Sequence, residues 1–215
     1  MSGTRARSTL FTLAVVAWFG SFAVLARLGT WTTFAVIGVA LSVPLIWLQI
    51  VPATRLAPNR LNVGIGLGSG LLMVVLTHLA YRWLSSLVPG VGAATLRLMG
   101  LLNVSGFSAG ARSSLIVLIA SCEEVLFRGA LPDRGVRRSL PLNPLSNREL
   151  RGVVGLAALY ALATAPLGSP LLALCALLCG SLWGILALAT GSLVAPVLAH
   201  VVWDLGVLIV WPLLA

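Results

Sequence analysis

The chain has 215 residues, of which 59% are hydrophobic and only 9% charged, and its mean hydropathy is +1.06. Soluble domains carry about 25% charged residues, so the composition excludes an ordinary soluble protein and predicts about six to eight membrane-spanning helices. The net charge of +9 comes entirely from arginine. Because these arginines fall mainly between apolar segments, membrane topology explains them and nucleic-acid binding is not expected.

Seven apolar segments follow one another along the chain, and they predict an all-α polytopic bundle of about seven transmembrane helices. The predicted spans cover residues 10–26, 31–51, 61–84, 115–131, 153–167, 170–190 and 192–213. The first span resembles a signal peptide with a small residue, Ala26, at a possible cleavage site. Because many spans follow it, we expect an uncleaved first membrane helix.

The third predicted span begins with four alternating glycines and carries a histidine, His78, near its far end. The glycines form two overlapping small-xxx-small pairs, which allow another helix to approach closely; they are Gly64, Gly66, Gly68 and Gly70. The following segment, 85–114, is rich in glycine and only moderately apolar. It predicts a re-entrant or interfacial helix with a connection.

The loop at 132–152 has the densest positive charge, and such loops usually face the cytoplasm. Its arginines are Arg134, Arg137, Arg138, Arg148 and Arg151. Counting seven spans puts the N-terminus and the loop at 52–60 on this same side, so we expect a cytoplasmic N-terminus. The use of arginine without lysine suggests a high-GC genome and hence a bacterial plasma (inner) membrane.

Two adjacent carboxylates, Glu123 and Glu124, lie in the fourth predicted span. A charge at this depth costs about 2.5–3.5 kcal/mol, so such residues are functional candidates. Glu124 and Arg128 are four residues apart and therefore share a helix face, which predicts an ion pair. Glu123 is rotated from that face by about 100°. It remains free to act as a general base.

The seventh predicted span supplies a second pair on one face, His200 and Asp204. Asp204 can orient the imidazole, or both side chains can point into a shared cavity. His200 and Asp204 lie about as deep in the seventh span as Glu123 lies in the fourth. We therefore expect the two spans to bring Glu123, Glu124, His200 and Asp204 together. The alternative is a buried polar network that only fixes helix packing.

The chain lacks both a GxSxG and an HExxH motif, which argues against a serine hydrolase and a typical zinc protease. A divalent metal such as zinc could still bind Glu123, His200 and Asp204. Water activated by a glutamate needs fewer assumptions, so no cofactor is expected to be required. A small transporter that uses the carboxylates as a proton relay is a third possibility.

These motifs resemble those of the CPBP family, the CAAX proteases and bacteriocin-processing enzymes, also called ABI-domain membrane proteins. The family's first motif is two glutamates, three residues and an arginine, matched by Glu123, Glu124 and Arg128. Its last motif is a histidine, three residues and Asn or Asp, matched by His200 and Asp204. The resemblance covers roughly residues 115–210. It implies a membrane part at 1–114 and a catalytic core at 115–215, formed by the last four spans of one compact domain.

The resemblance implies a hydrolase similar to type II CAAX prenyl endopeptidases, a glutamic-type (formerly metallo-type) intramembrane protease. Glu123 would be the base, and His200 and Asp204 would bind water or stabilise the oxyanion. The expected partners are the lipid bilayer and a membrane-anchored peptide or protein substrate. In a bacterium, peptide processing is a more plausible role than cleavage of prenylated CAAX proteins.

The family's middle motif, an aromatic residue, three residues and a histidine, is altered in this chain. Tyr160 stands at the aromatic position and Thr164 replaces the histidine that helps the first glutamate activate water. Three explanations compete: a slower enzyme, substitution by His78 from another helix, or loss of catalysis with an immunity or substrate-binding role retained.

Overall fold

A computed structural model describes residues 2–29, 31–102, 107–136 and 144–213 of the chain. Within these ranges the structure contains eight α-helices and no β-strand. The helices are α1 (Ser2–Leu28), α2 (Trp31–Trp47), α3 (Arg60–Leu87), α4 (Val91–Leu102), α5 (Ala109–Glu123), α6 (Asn147–Ala163), α7 (Pro170–Thr190) and α8 (Val194–Leu205). The helical fold class is therefore confirmed.

In the described part of the chain, four helical segments are long and apolar enough to cross a membrane: Thr9–Leu28, Arg60–Leu87, Asn147–Leu167 and Pro170–Thr190. This is the composition of a polytopic membrane bundle. The shorter helices α2 and α8 lie within predicted spans, whereas α5 begins at Ala109, six residues before the span predicted at 115–131. A π-helical turn extends α5 over Glu124–Arg128, and another extends α8 over Gly206–Val210. Helix α4 lies in the segment predicted to be re-entrant or interfacial.

Helix α6 begins earlier than the sequence predicted. The Ser146 hydroxyl accepts from the Glu149 backbone N–H, while the Glu149 carboxylate accepts from the Ser146 backbone N–H. This capping box satisfies two backbone donors and starts the helix. The predicted loop at 132–152 was therefore wrong at its C-terminal end, because Arg148 and Arg151 belong to α6. Two other predicted loop arginines, Arg137 and Arg138, lie outside the described residues.

Helices α3 and α8 run parallel and pack closely at two glycines. A Cβ atom at Gly66 would lie 2.7 Å from the Ala195 carbonyl oxygen, and one at Gly70 would lie 2.7 Å from Val202 Cβ. The structure thus uses one of the two predicted glycine pairs for helix contact. At the other two glycines, Gly64 and Gly68, nothing lies within 4 Å of the corresponding position.

One buried arginine, Arg55, joins the end of the α5 segment to the beginning of α8. Its guanidinium donates to the carbonyls of Arg128 (3.3 Å) and Leu131 (3.2 Å), and its own carbonyl accepts from the Leu193 N–H (2.8 Å). Burial lowers the pKa of the Arg55 guanidinium, and the charge of Asp133 acts in the opposite direction. The two helices that carry the predicted motifs are thereby fixed to each other at one end.

Candidate active site

A cavity of about 790 Å³ is lined by residues from all eight described helices, most of them from α3, α4, α5, α7 and α8. Its walls are mostly apolar, whereas Glu123, Tyr160, His200 and Asp204 line it together as a polar group. The described lining residues lie toward the end of the bundle where α5 begins and α8 ends, away from Arg55. The structure therefore brings side chains from the first, middle and last motifs into one space.

Glu123 is the last residue of α5, and its side chain is almost fully buried. The Tyr160 hydroxyl donates a 2.8 Å hydrogen bond to Glu123 Oε2. The same oxygen lies 3.9 Å from His200 Nε2. Tyr160 thus fixes one carboxylate oxygen of Glu123 beside the histidine without supplying a formal charge.

Glu124 is fully buried and contacts two partners through one oxygen. Its Oε1 lies 3.2 Å from Arg128 Nη1 and 2.9 Å from His200 Nδ1. The predicted ion pair with Arg128 is present, but the hydrogen bond to His200 was not anticipated. Because an ionised carboxylate can only accept, the ring donates from Nδ1 and presents Nε2 to the cavity.

The backbone departs from an α-helix directly after Glu123. Over Glu124–Arg128 it forms a π-helical turn, and the Gly129 N–H donates to the Glu124 carbonyl at 3.2 Å. Such π-helical turns are rare and are frequently found at functional sites. Here the turn begins at Glu124, whose side chain contacts His200.

The His200 ring is held on three sides. It stacks on Trp183 with 3.6 Å between ring centroids and an interplanar angle of 18°. Its Nδ1 contacts Glu124, and its Nε2 lies 3.5 Å from Asp204 Oδ2 as well as facing Glu123. Two carboxylates therefore flank Nε2, while the other nitrogen anchors the ring.

Arg128 is enclosed between helices and neutralises Glu124. Its Nη2 donates to the Gly180 carbonyl at 3.0 Å, and a Cβ atom at Gly180 would lie 2.9 Å from that nitrogen. The guanidinium carbon lies 5.2 Å from the centroid of Tyr160 and 5.3 Å from that of Trp183, within the range of cation–π attraction. Glycine at 180 thus leaves the space that the arginine fills.

Thr164 lines the cavity, but its hydroxyl donates to the Ala161 carbonyl at 2.8 Å. His78 makes contacts elsewhere. Its ring nitrogens lie 2.9 Å from the carbonyl oxygens of Val74 and Trp211, and the ring stacks on Trp211. His78 is not among the residues that line the cavity. The structure therefore does not bring it to Glu123.

Among the residues that the structure describes, no group of three or more His, Cys, Asp or Glu side chains is arranged to hold a metal ion. The metal alternative with Glu123, His200 and Asp204 gains no support from this geometry. The polar group can instead accept a proton, orient a water molecule and donate to a developing negative charge.

Sequence reasoning missed three features of this site: the Tyr160 hydroxyl, the Glu124–His200 hydrogen bond and the stacking of Trp183. Only Tyr160 carried a usable signal, because a phenol at an aromatic motif position adds a hydrogen-bond donor. The other two depend on the rotation of α7 and α8 relative to α5, which periodicity within one helix does not report.

The segment that carries these residues matches a known protein family. Residues 105–206 match the family model described as Rce1-like, type II CAAX prenyl endopeptidase Rce1-like. The match includes Glu123, Tyr160, His200 and Asp204, and it confirms the family resemblance found from the motifs. No curated protein and no solved structure matches the chain.

Proposed function

Because residues 105–206 match the family model of Rce1-like type II CAAX prenyl endopeptidases, we propose that this chain is an intramembrane endopeptidase. It cleaves a membrane-anchored peptide or protein with water activated by Glu123. The observation that carries the proposal is the convergence of Glu123, His200 and Asp204 in one cavity with apolar walls.

Glu123 acts on a water molecule beside Oε2. It accepts one proton while the water oxygen bonds to the carbonyl carbon of the scissile peptide. The carbonyl oxygen becomes negatively charged, and His200, when protonated at Nε2, donates a hydrogen bond to it. The C–N bond then breaks, and the proton held by Glu123 passes to the leaving amine. The products are a carboxylic acid and an amine, and the carboxylate of Glu123 is regenerated.

The neighbouring residues hold these two groups in place. Glu124, neutralised by Arg128, fixes Nδ1 of His200, and Trp183 fixes the plane of the ring. Tyr160 orients Glu123 through its hydroxyl. This bond supplies Glu123 with a partner although Thr164 replaces the usual histidine. Preorganised groups of this kind lower the barrier because little reorganisation is required during reaction.

The substrate is proposed to reach the site from the bilayer, since the cavity walls are apolar. Leu84, Leu96 and Leu178 line the cavity and are themselves exposed on the surface of the helical bundle. A lipid-anchored or membrane-embedded peptide matches such walls better than a soluble peptide does. We place the protein in a bacterial plasma membrane with the N-terminus in the cytoplasm, in keeping with the arginine-rich loops.

The test is cleavage of a library of membrane-anchored peptides by the purified protein in lipid nanodiscs, read by mass spectrometry. Glu123→Gln keeps the size of the side chain but removes the base, and we expect no cleavage. Glu149→Gln is the matched control, because Glu149 is on the outside of the bundle and glutamine preserves its capping role. Equal cleavage by Glu123→Gln and wild type would sink the proposal, provided that both variants retain the wild-type thermal unfolding profile.

A second candidate is a catalytically impaired member that binds substrate or confers immunity. It is favoured by Thr164, whose hydroxyl bonds to its own helix and not to Glu123. Restoring histidine with Thr164→His discriminates between the two. Proteolysis gained only in this variant identifies a decayed enzyme, whereas proteolysis already present in the wild type excludes that function.

A further inference from the structure

Two tryptophans connect the His200 ring to helix α3. Trp183 stacks on His200, with 3.6 Å between the ring centroids, and the Trp203 ring meets Trp183 edge-on, with 5.8 Å between centroids and an interplanar angle of 65°. Trp203 in turn donates from its indole Nε1 to Thr77 Oγ1 at 2.9 Å. A continuous series of contacts therefore runs from α3 through α8 and α7 to the histidine of the proposed active site.

The plane of the Trp183 ring depends on the groups packed around it. Trp183 is almost fully buried, and no described residue accepts a hydrogen bond from its indole N–H. An edge-to-face contact is favourable for two aromatic rings, because the positive edge of one ring meets the negative face of the other. The orientation of Trp203 therefore influences that of Trp183, and Trp183 in turn influences that of His200.

The Thr77 hydroxyl favours one orientation of Trp203. It donates to the Met73 carbonyl at 2.7 Å, a usual bond for threonine within a helix, and it accepts from Trp203. An indole N–H can only donate. Rotation of Trp203 away from Thr77 would leave this donor facing the mostly apolar walls of the cavity, which is unfavourable because a buried polar group needs a partner.

The packing of α3 on α8 fixes the two backbones but not the side chain of Trp203. Gly70 on α3 lies against Val202, and Gly206, directly after α8, lies against α3. Between these two contacts the Trp203 side chain is half-buried and lines the cavity. The hydrogen bond to Thr77 supplies the constraint on its rotamer that the glycine contacts do not.

We propose that Thr77 is a positioning residue for the proposed reaction. By holding Trp203, it keeps Trp183 stacked on His200, so that Nε2 of the histidine ring stays directed into the cavity. Thr77 acts only through these rings and does not touch the reacting atoms. The inference rests on the proposed proteolytic function and extends the site to α3, a helix that carries none of the motif residues.

The first test is kinetic and uses membrane-anchored peptides in nanodiscs. Thr77→Val keeps the shape of the side chain but removes the hydroxyl, and we expect kcat to fall about 3–10-fold with KM unchanged, the effect of one hydrogen bond between helices in a membrane. Thr77→Ser retains the hydroxyl and should have the wild-type kcat. Ser181→Ala is the matched control: its hydroxyl donates within its own helix, to the Leu177 carbonyl at 2.7 Å, and Ser181 does not line the cavity.

The second test observes the ring directly and requires no cleavage. The chain has two histidines, His78 and His200, so ¹⁵N-labelled histidine gives two sets of ring signals in solid-state NMR of the protein in lipid bilayers. The variant His200→Gln assigns them. We expect a single set of His200 signals in the wild type, Thr77→Ser and Ser181→Ala, and a shifted or second set in Thr77→Val. Because His78 adjoins Thr77 in the sequence, only the His200 signals are diagnostic.

The two tests separate this inference from the proposed function. If Thr77→Val changes the His200 signals but no form of the protein cleaves peptide, the positioning role stands and the proposed function falls. Unchanged His200 signals overturn the positioning role even if the wild type cleaves well.

Two kinetic outcomes also overturn it. Equal loss of kcat in Thr77→Val and Thr77→Ser would mean that the hydroxyl is not responsible, and a higher KM at constant kcat would mean that Thr77 contacts substrate. Should Thr77→Val not fold, Trp203→Phe removes the donor of the same hydrogen bond, and unchanged His200 signals in that variant overturn the inference as well.

Discussion

Replacing Tyr160 with phenylalanine removes a single oxygen atom from the site. In the wild type that oxygen donates to Glu123 Oε2 at 2.8 Å, and both side chains are buried. The ring itself packs on Phe127, with 4.9 Å between centroids, and lies beneath Arg128. Phenylalanine preserves these ring contacts, so the variant isolates the hydrogen bond from the packing.

The expected magnitude follows from the charge of the acceptor. A hydrogen bond to a charged group is worth about 1.5–3 kcal/mol, and about 1.4 kcal/mol corresponds to a tenfold change in rate. If Tyr160 holds Glu123 in the geometry for proton transfer, kcat of Tyr160→Phe falls by about 10–100-fold. KM should stay near the wild-type value, because the walls of the cavity are unchanged.

The assay is steady-state cleavage of the best membrane-anchored peptide from the library, with thermal unfolding measured on the same preparations. Tyr81→Phe is the control, since Tyr81 also lines the cavity and is the only other tyrosine in the chain. A Tyr160→Phe protein with wild-type kcat refutes a positioning role for the hydroxyl. A rise in KM at constant kcat refutes it as well, because it indicates substrate contact.

Three further predictions concern packing, the helix connection and metal. Gly70→Ala pushes α3 against α8 and should cost about 1–3 kcal/mol of stability, seen as a lower unfolding temperature, whereas Gly68→Ala at an exposed position should not lower it. Arg55→Gln should lower kcat and leave KM nearly unchanged, because it loosens the helices that carry Glu123 and His200. Arg60→Gln removes an exposed charge and should leave kcat unchanged; if both variants lower kcat equally, the charge and not the contacts of Arg55 is responsible. Treatment with EDTA should leave cleavage by the wild type unchanged, and loss of activity restored by zinc would refute water activation by Glu123 alone.

The architecture was largely predictable because each helix carries its own signals. Apolar runs of membrane-spanning length located α3 and α7, and α7 has the bounds that the sequence predicted, Pro170–Thr190. The beginning of α6 was less predictable, because a polar capping box and an arginine-rich loop have similar compositions. Local sequence patterns therefore predict the presence of a helix more reliably than they predict the residues at which it begins and ends.

The site was predictable only within single helices. The four-residue spacing correctly paired Glu124 with Arg128, and it put His200 and Asp204 on one face. Contacts between helices depend on rotation and depth, which a one-dimensional pattern does not encode. For this reason the bond between Glu124 and His200, and that between Tyr160 and Glu123, emerge only from the three-dimensional arrangement.

The contacts of Arg55 determine whether the family-matching segment can fold as a separate fragment. Arg55 lies fifty residues before the segment that matches the family model, yet its guanidinium donates to the carbonyls of Arg128 and Leu131 and its own carbonyl accepts from the Leu193 N–H at the start of α8. A fragment cut at the family boundary would leave buried carbonyls unsatisfied at the junction of the two motif helices. We therefore expect a fragment or chimera that contains only the matched segment to misfold unless it also includes the turn around Arg55.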